Sequence, residues 1–328
     1  MLKRVVSLLP SATESLCAIG GECMLVGRSH ECDFPESVKS LPVLTSQSIG
    51  PDLASNPAAI DAKVREQLAA GQSLYQVDEK LLRDLKPDLI LTQDLCEVCS
   101  IDLKAVRRIA DALSPRPEIV SLNPQTFEGV LDDLYTIGRV AGLEKQAIET
   151  VAKLRERMFA AAEFVNAFED GPNVVFLEWT DPLFVGGHWT PQLIERAGGR
   201  HPLNAPVPKE NAGAAAGPQM AERVAGKSVR VAPEIVEAVN PDAIVIAPCG
   251  MNLAHTRSCA AALSRQPWFK NLPAVRSGRV ALIDGNQMFN RPGPRLVDAF
   301  EFLAGWLNFR PELIPASFPW EPLSRAGI

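Results

Sequence analysis

Cys96-Glu97-Val98-Cys99 sets two thiols at C-x-x-C spacing, the separation used by metal ligands and by dithiol redox pairs. A tetrahedral site needs two further donors, and no second C-x-x-C follows at zinc-finger spacing. His30-Glu31-Cys32 supplies them if its loop meets the first. The expectation is a metal site of Cys96, Cys99, His30 and Cys32 holding zinc or iron. Two other readings stay open. Cysteine is among the most buried residue types, so the same thiols also read as small core side chains. A redox role is the weakest option, because Asp94 and Glu97 are acidic neighbours that raise a thiol's pKa and reduce its reactivity. Cys249, His255 and Cys259 form a looser group of the same kind.

A second set of residues suits a large, flat, partly apolar ligand. Trp179 and Trp189 fall in one segment with Phe184 between them, among Asp181, Gly186, Gly187 and His188. Broad aromatic faces bind such ligands well; the competing reading packs one of the two indoles beneath the loop. His188, beside two glycines and a tryptophan, is a better contact than His201 or His255, although a single histidine is more often structural. No G-x-S-x-G elbow, Walker loop or dinucleotide-binding glycine pattern occurs. Asp94 and Asp181 would pair as acid and base only if two halves of the chain closed on each other, so their default role is polar contact or loop capping. No enzyme activity is expected.

The elements that must position these residues are written twice. Val77 to Leu91 reads against Val231 to Val245 at a constant offset of 154 residues (241 − 87). Each copy is a short amphipathic helix, a Pro-Asp turn (Pro87-Asp88, Pro241-Asp242) and an apolar strand that ends in a loop with cysteine. Strands alternating with helices predict an α/β fold with parallel sheets and helices on their faces. In the first half the expected elements include a strand Val5–Leu9, a helix opened by a Ser11/Glu14 capping box and stopped at Gly20-Gly21, a short strand Leu25–Val26 and a strand Leu89–Thr92. In the second half a strand Val174–Leu177 leads into the aromatic loop, Thr190-Pro191 starts a helix that closes at Gly198-Gly199, and a helix runs from about Cys259 to Ser264. A stretch rich in Ala, Gly and Pro, Asn211 to Pro218, reads as a mobile surface loop.

Between the halves, Glu144 to about Phe168 keeps helical apolar spacing without proline or glycine. Roughly 25 residues make a rod of roughly 37 Å, long enough to serve as a strut. The expected organisation is therefore two similar lobes, 1–143 and 171–328, joined by one helix, 144–170, with a ligand cleft between them. The strut would limit lobe motion, so the cleft should be largely preformed.

In open parallel sheets ligands bind outside the carboxyl ends of the strands. The loops there nominate Ser11, Thr13, Arg28, His30, Gln93 and Asp94 from the first half. They nominate Trp179, Asp181, Phe184, His188, Trp189, Cys249, Asn286, Phe289 and Arg291 from the second.

Composition bounds the partners. The 328 residues carry a formal net charge of −6, with 22% charged and 46% hydrophobic residues. That is a globular composition without the basic stripe that nucleic-acid phosphates require. No apolar run is long enough to span a bilayer. Met1 to Leu9 imitates the start of a secretory signal, but the apolar run is short and Pro10 and Glu14 interrupt it, so it reads as a first strand. The seven cysteines show no disulfide spacing. Together these suggest a cytoplasmic protein as written, or an extracytoplasmic one whose leader has been removed.

Several stretches also resemble a known family. Arg4-Val5-Val6-Ser7-Leu8-Leu9-Pro10-Ser11-Ala12-Thr13-Glu14, the Lys86-Pro87-Asp88-Leu89-Ile90 turn and the central helix are similar to the iron-siderophore and cobalamin periplasmic-binding fold. Within it the chain most resembles the cobalamin-binding proteins of ABC importers. Gly27 to Asp33, Thr92 to Cys99 and Phe289 to Pro294 carry the likeness further. The resemblance implies two lobes joined by one rigid helix and a corrinoid between them, held by aromatic and amide contacts without turnover. It also implies a membrane permease as partner. A haem-like macrocycle or another metal chelate is the alternative ligand.

Overall fold

The computed structural model describes residues 2–47, 56–71, 73–94, 103–166, 170–210, 212–213 and 223–327. The chain forms two compact units. The first comprises residues 1–50, 62–124 and 128–154; the second comprises 51–61, 125–127 and 155–328.

The first unit is built on four parallel strands, β1 (Val5–Ser7), β2 (Leu25–Arg28), β5 (Leu89–Thr92) and β6 (Glu118–Ser121), in the order β2-β1-β5-β6. A separate antiparallel pair, β3 (Thr45–Gln47) and β4 (Tyr75–Val77), lies between β2 and β5 in the sequence. Val5, Val6 and Leu89 to Leu91 are fully buried, as the strands of a sheet covered on both faces must be. On one face Val6 and Ile90 pack with Leu82 of α3 (Glu79–Leu85) and with Val106, Ile109 and Ala110 of α4 (Leu103–Asp111).

The second unit repeats the parallel core with β7 (Val174–Thr180), β12 (Ala243–Ile246) and β13 (Val280–Ile283). Its sheet is mixed, however, in the order β11-β8-β7-β12-β13-β14. β8 (Leu183–Val185), β11 (Val229–Arg230) and β14 (Trp320–Pro322) all pair antiparallel. The expected parallel core is present, and antiparallel strands are added to it: β7 runs on to Thr180 and turns back at Asp181-Pro182, which makes a hairpin where a loop was read. One face packs Val175, Leu177, Ile244, Ile246, Val280 and Leu282 against Val236 of α8 (Pro233–Val239) and Ala260 and Leu263 of α9 (Leu253–Leu263). The opposite face carries an aromatic cluster in which Phe176, Phe302 and Phe318 surround Phe289.

The duplication is structural. α3 and α8 have seven residues each, and β5 and β12 have four, at the same sequence offset. Both helices end in a left-handed residue, Lys86 (φ 46°) and Asn240 (φ 51°). The aspartate two residues on makes the same bonds in each copy. Asp88 Oδ2 accepts the Arg4 N–H at 2.8 Å, and the Arg4 carbonyl accepts the Asp88 N–H at 2.8 Å. Asp242 Oδ2 accepts the Asn173 N–H at 2.8 Å, and the Asn173 carbonyl accepts the Asp242 N–H at 2.9 Å.

Several helix ends differ from the expected positions. α1 (Pro10–Ala18) starts with Pro10 in its first turn and Leu9 as an extended N-cap, so Ser11 and Glu14 lie inside the helix and form no capping box. α7 (Trp189–Arg196) begins before Thr190, with His188 at its N-cap. α6 (Glu144–Ala162) has 19 residues, about 28 Å, because i→i−3 bonds from Phe164 and Val165 tighten its end. Both α1 and α7 stop as expected. At each end a left-handed glycine, Gly20 or Gly198, and the glycine after it return their N–H groups to the last turn. The proposed loop at 211–218 lies almost wholly outside the described residues.

The left-handed pair gives a direct test. Lys86→Gly should raise stability by about 0.5–1 kcal/mol, since glycine meets no Cβ penalty there. Asn240→Gly should gain less, because asparagine already tolerates that conformation. Urea unfolding of the two variants beside the parent checks the difference.

Candidate functional site

In the first unit the nominated residues follow the carboxyl ends of β1, β2 and β5. Ser11 and Thr13 are buried in α1. Thr13 Oγ1 donates to Leu9 O at 3.3 Å and lies 3.0 Å from Cys32 Sγ, which also contacts Ser29 Oγ at 3.2 Å. Cys32 is fully buried, so its thiol sits in a hydroxyl pocket like a small core side chain. Arg28 is buried too, and its guanidinium donates to the carbonyls of Ser29, Cys32 and Lys39, each at 3.0 Å. It ties the segment after β2 into a knot.

His30 is half-buried. Its Nδ1 lies 2.6 Å from Thr45 Oγ1, its Nε2 lies 3.2 Å from the Glu31 carboxylate, and its ring packs on Tyr75 at 5.8 Å. Gln93 is half-buried and Asp94 is exposed; the Asp94 N–H donates to Asn123 Oδ1 at 2.7 Å, joining the loops after β5 and β6. Cys96 and Cys99 lie outside the described residues. Among the described residues no group of three or more His, Cys, Asp or Glu side chains is placed to hold a metal ion.

In the second unit the structure brings two groups together. Trp179 and Phe184 are register partners in the β7–β8 hairpin, with Asp181 at its turn. The Trp179 indole N–H is shared between Asp181 O at 3.1 Å and Pro57 O at 3.2 Å, which fixes the ring while leaving it partly exposed. The second group is His188, Trp189 and Phe289. His188 stacks on Trp189 (centroids 5.5 Å apart, 24° between planes), and the Trp189 indole N–H donates to Phe289 O at 2.7 Å. Trp189 and Phe289 are buried, at 7% and 1% exposure, so the indole packs as the competing sequence reading had it. Arg291 is buried as well.

Cys249 is half-buried, its N–H donating to Glu178 O at 3.0 Å, and Asn286 N–H donates to Asp284 Oδ1 at 3.0 Å. Asn252 caps α9 through His255 N–H, and Cys259, one turn beyond His255, is buried against Met251. α9 therefore starts six residues before the expected position, because Asn252 supplies its cap.

Sequence reading missed the residues that brace this region. Ser228 Oγ donates to both oxygens of Glu178, at 2.8 and 2.9 Å. The buried amide of Gln192 accepts the Phe127 N–H at 2.9 Å, and Arg223 forms a two-point ion pair with Glu195 at 2.8 and 3.0 Å. Gln125 Oε1 reaches His188 Nδ1 at 3.3 Å. These partners come from segments far apart in the chain, and no local spacing announces them.

Two histidines are held neutral. Burial first, and the positive charge of Lys227 second, push His188 below its ordinary value. Burial pushes His201 down to about 4, and the Phe176 N–H donates to its Nε2 at 3.3 Å.

An α/β fold with parallel strands ending in such loops is shared with solved ligand-binding proteins. A periplasmic heme-binding protein from Pseudomonas aeruginosa superposes with a TM-score of 0.66 at 21% identity, covering 97% of this chain and 94% of that one. The periplasmic vitamin B12 binding protein BtuF of Vibrio cholerae gives 0.64 at 17% identity, covering 94% and 98%. At these identities the likeness is one of fold. In sequence, the chain is 26% identical to an uncharacterized ABC transporter substrate-binding lipoprotein of Bacillus subtilis, over 92% of this chain and 79% of that protein. It is 24% identical to a cobalamin-binding protein of Halobacterium salinarum, over 92% and 68%. Residues 5–286 match the model of the periplasmic binding protein family, and the chain belongs to that family. Among the described residues no helix is long and apolar enough to cross a membrane.

His201 makes a pH prediction. Above about pH 6.5 the ring is neutral in folded and unfolded chains alike. Below that the unfolded chain takes up a proton that the folded one refuses until about pH 4. Stability should therefore fall between those values by about 3 kcal/mol and level off below. In His201→Gln, whose amide oxygen can still accept the Phe176 N–H, that part of the slope should disappear from urea titrations run at stepped pH.

Proposed function

We propose that this protein is a substrate-binding protein of the ABC-importer type that holds a cobalamin or related corrinoid and delivers it to a membrane permease, without turnover. The observation that carries the reading is the Trp179–Phe184 hairpin. An antiparallel turn added to a parallel sheet holds the half-buried Trp179 indole by its N–H at the carboxyl end of the strands. Such a side chain suits a broad, partly apolar macrocycle. Membership of the periplasmic binding protein family supports a binding role. The Halobacterium salinarum relative named for cobalamin supports the ligand class.

In this reading the polar groups that orient the ligand come from the strand-end loops of the second unit, where Asp181 is exposed and Asn286 is half-buried. Arg28, buried, stabilises its loop from within, and Arg291 is buried too.

Calorimetric titration with cyanocobalamin tests the proposal, with tryptophan fluorescence read in parallel. A saturable heat and quenching are expected. Trp179→Phe should weaken binding about tenfold, the loss of roughly 1.4 kcal/mol of stacking and burial. Neither heat nor quenching with about 100 μM ligand, a concentration that would reveal even a weak micromolar site, would remove cobalamin from consideration. Elemental analysis of the same preparation decides whether Cys96 and Cys99 hold zinc or iron.

A further inference from the structure

The duplicated segment keeps its inside and inverts its outside. Leu82 of α3 answers to Val236 of α8 at the constant offset (236 − 82 = 154), and Ile90 of β5 to Ile244 of β12; all four are buried. The Pro-Asp turn is common to both copies. On the outer surface the likeness ends. Lys80 and Arg83 are exposed cations on α3, and the same two positions of α8 hold exposed carboxylates, Glu234 and Glu237.

Each charge extends beyond its own pair. Leu82 packs with Val106 and Ile109 of α4, which adds the exposed Lys104, Arg107 and Arg108. Glu79 is taken up from both sides, by Arg83 at 3.3 Å and Arg108 at 3.1 Å, and Asp111 is taken up by Arg116 at 2.8 Å. Asp84 is the remaining acid of these two helices. Among the described residues Lys80 and Arg107 form no ion pair, and neither do Glu234 and Glu237 of α8. Arg257 of α9 is held by Glu321 at 2.7 Å, and α10 (Pro267–Lys270) brings the exposed Lys270, which pairs with neither glutamate. Ile235, between the two glutamates in the sequence, is 48% exposed, whereas its counterpart Leu81 is half-buried against the core of the first unit.

Charges on a helix surface are ordinarily solvated, and one exposed ion pair is worth little. Two features set these surfaces apart. The reversal is position by position in a segment otherwise kept, and the acidic copy carries a bare isoleucine among its carboxylates. An apolar centre within a charged rim is the build of a protein interface. A partner of uniform charge would be repelled by one of the two surfaces, since like charges brought together are costly. A second copy of the chain carries the complement of each. We infer that the chain associates with copies of itself, α3 of one copy against α8 of the next. The contact is heterologous, with Glu234 and Glu237 opposite Lys80 and Arg83 and with Ile235 enclosed. Two helices of seven residues and their neighbours cover less than the roughly 1,200 Å² of a stable interface, so the association is weak and depends on salt. It is independent of which ligand the protein holds.

Sedimentation of the full chain tests this, at protein concentrations up to about 1 mM, which reveals even a millimolar dissociation constant. Salt is set at about 10 mM and about 150 mM, where charges are screened over about 30 Å and about 8 Å. The weight-average mass of the parent should rise with concentration at low salt and rise several-fold less at the higher salt. Lys80→Glu with Arg83→Glu makes both surfaces acidic; Glu234→Lys with Glu237→Lys makes both basic. Each double variant alone should stay monomeric where the parent associates. An equal mixture of the two should associate again, because the acidic α8 of one then finds the basic α3 of the other. Ile235→Ser leaves every charge in place and should weaken the parent's association at least tenfold; it reads the contact even if a double variant fails to fold. A parent that stays monomeric throughout overturns the inference and points to a different protein as the occupant. Association that persists in either double variant alone, a mixture of folded variants that stays monomeric, or an Ile235→Ser chain that associates like the parent would overturn it as well.

Discussion

Each sheet depends on one carboxylate. Asp88 in the first unit and Asp242 in the second accept the backbone N–H of the residue that leads into the first strand, and return their own N–H to the same residue's carbonyl. The pair of bonds fixes the register of the central parallel strands at their amino ends. Slippage by one residue would turn Val6 and Ile90, or Val175 and Ile244, to the opposite face. The proline before each aspartate restricts the chain, and the left-handed residue before that ends the helix. Helix stop, turn and register are thus settled within a few residues, and the loops at the other end of each sheet inherit their positions from it.

On this shared frame the two units do different things with the carboxyl ends of their strands. The first closes them inward. Arg28 gathers three carbonyls, Cys32 lies beneath two hydroxyls, and Asn123 bridges neighbouring loops. The second opens them outward, adding a hairpin that lifts Trp179 and Phe184 and a glycine-rich turn that fixes His188. The aromatic cluster around Phe289 supports that turn from below through the Trp189 indole.

The duplicated helix-turn-strand, the glycine stops and the continuous apolar strands were legible in the sequence because each is set by residues close together in the chain. Pro-Asp after an amphipathic helix leaves few alternatives. What could not be read was decided by distant partners or by competition between local signals. Ser11 with Glu14 has the form of a capping box, yet Pro10 takes the first helical turn and draws both residues inside. The segment from Glu178 to Val185 looked like a loop because Asp181-Pro182 breaks it, and the break proved to be the turn of a hairpin. Trp189 and Phe289 were nominated for the ligand, but an indole N–H facing a carbonyl a hundred residues away has no signature in spacing. The nominated positions fall at or near strand ends, in the hairpin or in the first turns of α1 and α7; which of their side chains are exposed is set by burial, which a single sequence does not display.

The sheet of the second unit is bordered by unlike neighbours on its two sides. Next to β13, whose four residues are all buried, lies only the three-residue strand Trp320–Pro322, held by Arg257 on Glu321. Its proline offers no N–H to a further chain, so the border resists growth by addition of another strand. Without those three residues Val280–Ile283 would present a bare apolar rim, a template for self-association. The short terminal ribbon is thereby a safeguard of solubility as much as a piece of the fold.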